Sequence, residues 1–169
     1  PSAWCVSSEP FGLGDMGSPG GHNPACPGDL RPVDSCVMNT ASPLVLPAGV
    51  AHPLYMQLSV EGITNVTSTT DPHEDVLVEL WWASEEVSPQ ESAQWSSQIA
   101  VPLFNWDSGS EGLPFDTDAY VTDLLVPAPG SYQVTFRASA DGGNSWRVCD
   151  RVDDGQYTKE DSLKLDSLP

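Results

Sequence analysis

The sequence predicts an all-β chain, with two antiparallel sheets packed as a β-sandwich and an irregular N-terminal arm in front of them. Three observations predict it. From residue 33 to residue 169 short runs alternate apolar and polar side chains with period two. Turn residues separate those runs at strand spacing. No stretch carries a capped helical period of convincing length.

Residues 1–32 form the arm. They are crowded with Gly, Pro, Ser and Asp, as in "PFGLGDMGSPGGHNPACPGDLRP", and follow neither period. The apolar residues Trp4, Val6, Phe11 and Leu13 are its expected means of attachment to a neighbour. The sandwich domain, 33–169, offers candidate strands at Cys36–Asn39, Leu44–Leu46, Leu54–Val60, Val76–Trp82, Ser97–Phe104, Tyr120–Val126, Tyr132–Ser139, Ser145–Asp150 and Ser162–Leu168. In "LYMQLSV", Leu54, Met56, Leu58 and Val60 share one face, and in "SYQVTFRAS" so do Tyr132, Val134, Phe136 and Ala138. "LPAGVAHP" and "VPAPGSY" read as turns, and Ser88–Trp95 as one or two helical turns capped by Ser88. Seven to nine short strands describe a sandwich of the immunoglobulin or fibronectin type III kind, with an eight-stranded jelly roll as near neighbour.

Six basic residues stand against 24 acidic ones, a formal charge of -18, and the bases form no patch. Such a surface repels nucleic acid and anionic lipid and keeps an exported protein soluble. No run of 18 apolar residues predicts membrane insertion. The chain starts at Pro1 without an initiator Met, which fits processing on export. Four cysteines at 5, 26, 36 and 149 show no zinc or haem spacing. Of their three pairings, Cys5–Cys26 with Cys36–Cys149 is favoured: one bridge closes a Gly/Pro loop, the other ties the first strand to a late one. Disulfides imply an oxidising compartment.

In Ser139–Trp146, "SADGGNSW", the pattern S-x-D-x-G-x-[ST]-W resembles the Asp-box hairpin of sialidase propellers. At 169 residues the chain is too short for four to eight blades of roughly 40–50 residues, and the motif does not recur. Over Val126–Asp150 the run "VPAPGSYQVTFRASADGGNSWRVCD" resembles Ig-like or starch-binding-like modules of secreted bacterial proteins and surface lipoproteins. That resemblance extends over about residues 33–168 and departs from the pattern at "ELWWAS" and "FDTDAY". It implies a sandwich exposed at the bacterial cell surface.

The hairpin residues Ser139, Asp141, Gly143 and Trp146 are expected to be structural. Asp141 would accept backbone N–H groups, Gly142 and Gly143 would supply positive φ, and Trp146 would fold onto the core beside Cys149. Trp81 and Trp82 must point to opposite faces of a strand. The outward one, with Trp95 and Trp106, is a candidate aromatic platform for polysaccharide or a partner. Acidic residues recur at Asp71, Glu74 and Asp75, and at Asp116 and Asp118. A third group, Asp150, Asp153 and Asp154, is the candidate calcium site. No other cofactor is expected. His22, His52 and His73 lie in loops without a nucleophile elbow, and the cysteines are spent in bridges, so no catalytic residue is identified. The expectation is a non-enzymatic extracellular structural protein, partnered by copies of itself and built into a filament or layer through its arm. A carbohydrate-binding or adhesion module is the alternative.

Overall fold

The computed structural model describes residues 31–87, 92–153 and 158–169. These residues fold as a two-sheet β-sandwich. In chain order the strands are β1 (Ser35–Met38), β2 (Leu44–Pro47), β3 (Ala51–Ser59), β4 (Leu77–Ser84), β5 (Ser96–Ile99), β6 (Val101–Pro102), β7 (Thr117–Leu125), β8 (Gly130–Ser139), β9 (Arg147–Cys149) and β10 (Leu163–Leu168). One sheet has the order β1-β3-β7-β6; the other has β2-β10-β8-β4-β5, with β9 also on β8. Every ladder is antiparallel except that of β10 with β2, which is parallel. The orders β1-β3-β7-β6 and β10-β8-β4 are those of the ABED and GFC sheets of an immunoglobulin-type sandwich.

Period-two alternation builds the core. Leu54, Met56 and Leu58 of β3 face Val134, Phe136 and Ala138 of β8, all of them fully buried. Leu80 of β4 and Leu163 and Leu165 of β10 complete the layer. Each of these side chains larger than Ala138 contributes about 1.5–3 kcal/mol by leaving water.

The candidate strand at Ser97–Phe104 divides in two at Ala100. Buried Ala100 donates its N–H to the Val78 carbonyl at 2.9 Å, and the chain then leaves the sheet of β5 for that of β6. A single extended run therefore borders both sheets. Of the expected helical turns, a short 3-10 segment at Ser92–Gln94 is described, and 88–91 lie outside the described residues.

Two devices close the ends. The "VPAPGSY" turn is fixed by Tyr132, whose hydroxyl donates to the Ala128 carbonyl at 2.8 Å, the tyrosine corner of this architecture. Cys36 of β1 is bonded to Cys149 of β9 across a separation of 113 residues, with Cα atoms 5.0 Å apart, as the favoured pairing expects. Cys5 and Cys26 lie outside the described residues, with the rest of the arm through residue 30.

Candidate functional site

The outer face of the six-stranded sheet carries a cluster of aromatic and charged groups. On β4 the side chains of Val78, Leu80 and Trp82 turn toward the core, so the adjacent Trp81 faces outward with Glu79. Register sets Glu79 opposite Arg137 of β8. The Arg137 guanidinium then lies 3.8 Å from the Trp81 ring centroid and 4.1 Å from that of Trp146. Its Nε and Nη2 donate to Glu79 Oε2 at 2.8 and 2.5 Å, and Trp81 Nε1 donates to the same oxygen at 3.3 Å. Trp95 borders Trp81 with ring centroids 5.7 Å apart and planes tilted by 36°.

This stack differs from the platform expected of Trp81, Trp82, Trp95 and Trp106. Trp82 packs against the core, Trp106 sits in the turn after β6, and a guanidinium covers one face of Trp81. The sheet separates what the sequence lists side by side.

The hairpin is a closed hydrogen-bonded knot. Asp141 accepts the Ser139 hydroxyl at 2.7 Å, the Ser145 N–H at 2.9 Å and the Ser145 hydroxyl at 2.6 Å, while its carbonyl accepts Asn144 Nδ2 at 2.5 Å. Burial pushes the Asp141 carboxyl up, but the bonds from Ser145 and Ser139 together outweigh that and hold it below the usual carboxylate value. Gly142 and Gly143 have φ of 68° and 92°, which only glycine adopts without strain. Gly143 also donates its N–H to the Ser139 hydroxyl oxygen at 2.8 Å.

Trp146 does not fold onto the core, contrary to expectation. Cys149 points inward opposite Phe136, so by alternation a residue three positions earlier points outward. Trp146 accordingly closes over Arg137, and its Nε1 donates to the Gly143 carbonyl at 3.0 Å.

At the expected calcium site the carboxylates already have protein partners. Asp153 Oδ1 accepts Arg147 Nη2 at 2.8 Å and the Cys36 N–H at 3.4 Å; Asp150 Oδ1 accepts the Val152 N–H at 3.0 Å. Asp154 lies outside the described residues, and among those described no three His, Cys, Asp or Glu side chains come together as a metal would need. The arm residues Trp4, Val6, Phe11 and Leu13 also lie outside them.

Two features escaped the sequence reading. One is the outer face of the four-stranded sheet, where register aligns Tyr55, Val121 and Val101 in one row across three strands. Tyr55 is 41% exposed, Val101 54% and neighbouring Leu125 62%. Among the outward positions of β1, β3, β6 and β7, Asp123 is the sole charged residue. At one end of this face Val37, Gln57, Ser59 and Thr117 line a groove together with two acidic residues at its margin, Asp34 and Asp116. The alternation of "TDAYVTDLL" is the signal that could have found it.

The second feature is the burial of Asp118, which the same alternation turns inward with Tyr120 and Leu124. Asp118 is fully buried opposite Leu58. Its Oδ2 accepts the Asp71 N–H at 2.9 Å, whereas its Oδ1 has no hydrogen-bond partner. Burial, with a smaller push from the Asp71 carboxylate, raises its pKa from 3.8 to about 7 against the lowering effect of the Asp71 N–H.

No family model matches the chain, and no curated protein matches it in sequence.

Proposed function

We propose that the protein is a non-enzymatic extracellular structural subunit, in which residues 1–32 of one copy attach to the four-stranded sheet of the next. The observation that carries this reading is the charge-poor outer face of that sheet. A chain of net charge -18 repels its own copies, so a contact between copies has to use a surface that adds little charge. Depletion of charged residues around exposed apolar ones is also the signature of an interface centre.

Residues 1–32 suit such a face. They hold three acidic residues, Glu9, Asp15 and Asp29, and one basic residue, Arg31, beside Trp4, Val6, Phe11 and Leu13. A head-to-tail contact of this kind need not close on itself, and where it does not it propagates into a filament or layer. The Cys36–Cys149 bridge supports residence in an oxidising compartment, and the resemblance to secreted bacterial modules supports the cell surface. The engagement of Trp81 with Arg137 counts against the carbohydrate-binding alternative.

Electron microscopy and light scattering of the wild type and of a Tyr55→Glu/Val101→Glu double variant test the proposal. Polymers in the wild type and monomers in the variant are expected. A wild type that stays monomeric at high concentration, or glycan-array binding abolished by Trp81→Ala with unchanged stability, would overturn it.

A further inference from the structure

The four-stranded sheet ends in a cap that contains no helix and, among the described residues, only one isolated bridge, Thr69 with Asp107. Two segments, 61–75 and 103–117, make this cap, and hydrogen bonds join them to each other and to β7. Ser108 donates its N–H and its hydroxyl to the Ser68 carbonyl at 2.9 and 3.1 Å. The Thr70 hydroxyl donates to the Leu103 carbonyl at 3.0 Å, and Thr64 Oγ1 donates to the carbonyl of Asp116. Beneath them lies the Asp118 carboxyl.

We infer that Asp118 is a proton-operated latch: with its carboxyl neutral, segment 61–75 stays closed on β7, and loss of the proton leaves a charge out of water and opens this end of the sandwich. The inference stands apart from the proposed assembly and rests on geometry. One oxygen of Asp118 already accepts the Asp71 N–H, and the other faces a fully buried environment without a partner. A neutral carboxyl is tolerated there, whereas an ionised one leaves a charge out of water with one hydrogen bond.

The groups facing it from each side offer no compensation. Segment 61–75 brings the Asp71 carboxylate, itself occupied by the Thr67 N–H and hydroxyl at 2.8 Å each. Its own strand brings Tyr120, whose phenol is pushed up by burial first and then by Asp118 and Asp71. Opposite, β3 brings only apolar Met56 and Leu58. Segment 103–117 brings Asp116, two residues before Asp118, and the bridge residue Asp107, whose Oδ1 accepts the Gly109 N–H. Among the described residues no basic side chain is paired with Asp118: Arg137, Arg147, Lys159 and Lys164 pair with Glu79, Asp153 and Glu85, Arg31 bonds the Gly62 carbonyl, and Arg151 lies beyond β9 with its N–H on the Asp161 carbonyl.

The raised pKa of about 7 puts the change within the ordinary physiological range. Hydrogen exchange of the whole chain between pH 5 and pH 8.5, corrected for intrinsic rates, reads the latch directly. The amides of Asp71 and Ser108 are expected to lose protection by about tenfold or more as pH rises from 5 to 7 and to change little above it, since one pKa unit of differential proton affinity is a factor of ten. In Asp118→Asn that pH dependence disappears. Equal pH dependence in the wild type and D118N overturns the inference. Should D118N fail to fold, the 13C carboxyl resonance of Asp118 in the wild type decides: a midpoint near 7 supports the latch, and a midpoint near 3.8 overturns it.

Discussion

Two aspartates contribute to the pH response of this protein with opposite signs. Asp118 has a folded-state pKa raised to about 7, so between 3.8 and 7 the folded chain holds a proton that the unfolded chain has lost. Its stabilising contribution is complete below 3.8 and is lost as pH rises through about 7. Asp141 is depressed by its bonds to Ser145 and Ser139, so its contribution is present above the usual carboxylate value and disappears as pH falls through its folded value. Stability should therefore peak in mildly acidic solution, which thermal melts across pH 3 to 9 will check. Asp141→Ala should cost roughly 2–3 kcal/mol, because it strands the Ser145 N–H and removes two hydroxyl bonds. The two residues were unequally legible. The Asp141 turn is written in consecutive letters, "SADGGNSW", whereas Asp118 is special only because β3 and segment 61–75 close over it. Contacts of that kind join residues 47 to 60 positions apart.

At the scale of elements, the long alternating strands were readable because burial on one face imposes period two on the sequence. What alternation could not supply was partnership across strands. Arg137 and Glu79 are 58 residues apart, and it is the β4–β8 register that brings them together between two tryptophans. A charged pair desolvated by flanking rings is worth more than an exposed one. In chemical denaturation Arg137→Ala should lose roughly 2–4 kcal/mol, and Arg137→Lys should recover only a minor part, since an ammonium cannot stack flat between two rings. A full recovery by lysine would mean that charge alone matters there. Tyr132→Phe should cost about 1 kcal/mol, the net value of its bond to Ala128. The division of the Ser97–Phe104 run into β5 and β6 was not readable, because a strand that changes sheets keeps its extended backbone and signals the change only through buried Ala100.

For the whole molecule the Cys36–Cys149 bridge dominates. Closing so long a loop restricts the unfolded chain, and its removal should cost about 4–5 kcal/mol. A fold with ordinary margins of 5–15 kcal/mol would then be left marginal or unfolded. Melting curves with and without reductant will show it as a large loss of stability, and an unchanged midpoint would place the stability in the core instead. The topology was legible as a class because strand number and turn spacing constrain it. Sheet order depends on which edges meet, and no local stretch encodes the parallel β2–β10 pair.

The same bridge also divides the described domain into loaded and sheltered parts. If tension enters through residue 31 and leaves through residue 169, it passes from Cys36 directly to Cys149 and bypasses the 113-residue separation between them. Seven of the ten strands, β2 to β8, then lie off the path of the force. Only β10 can be drawn out, by sliding against β8 and β2. In single-molecule stretching the oxidised domain should yield a short extension. Reduction should release roughly 350–400 Å more, at about 3.3–3.6 Å per extended residue.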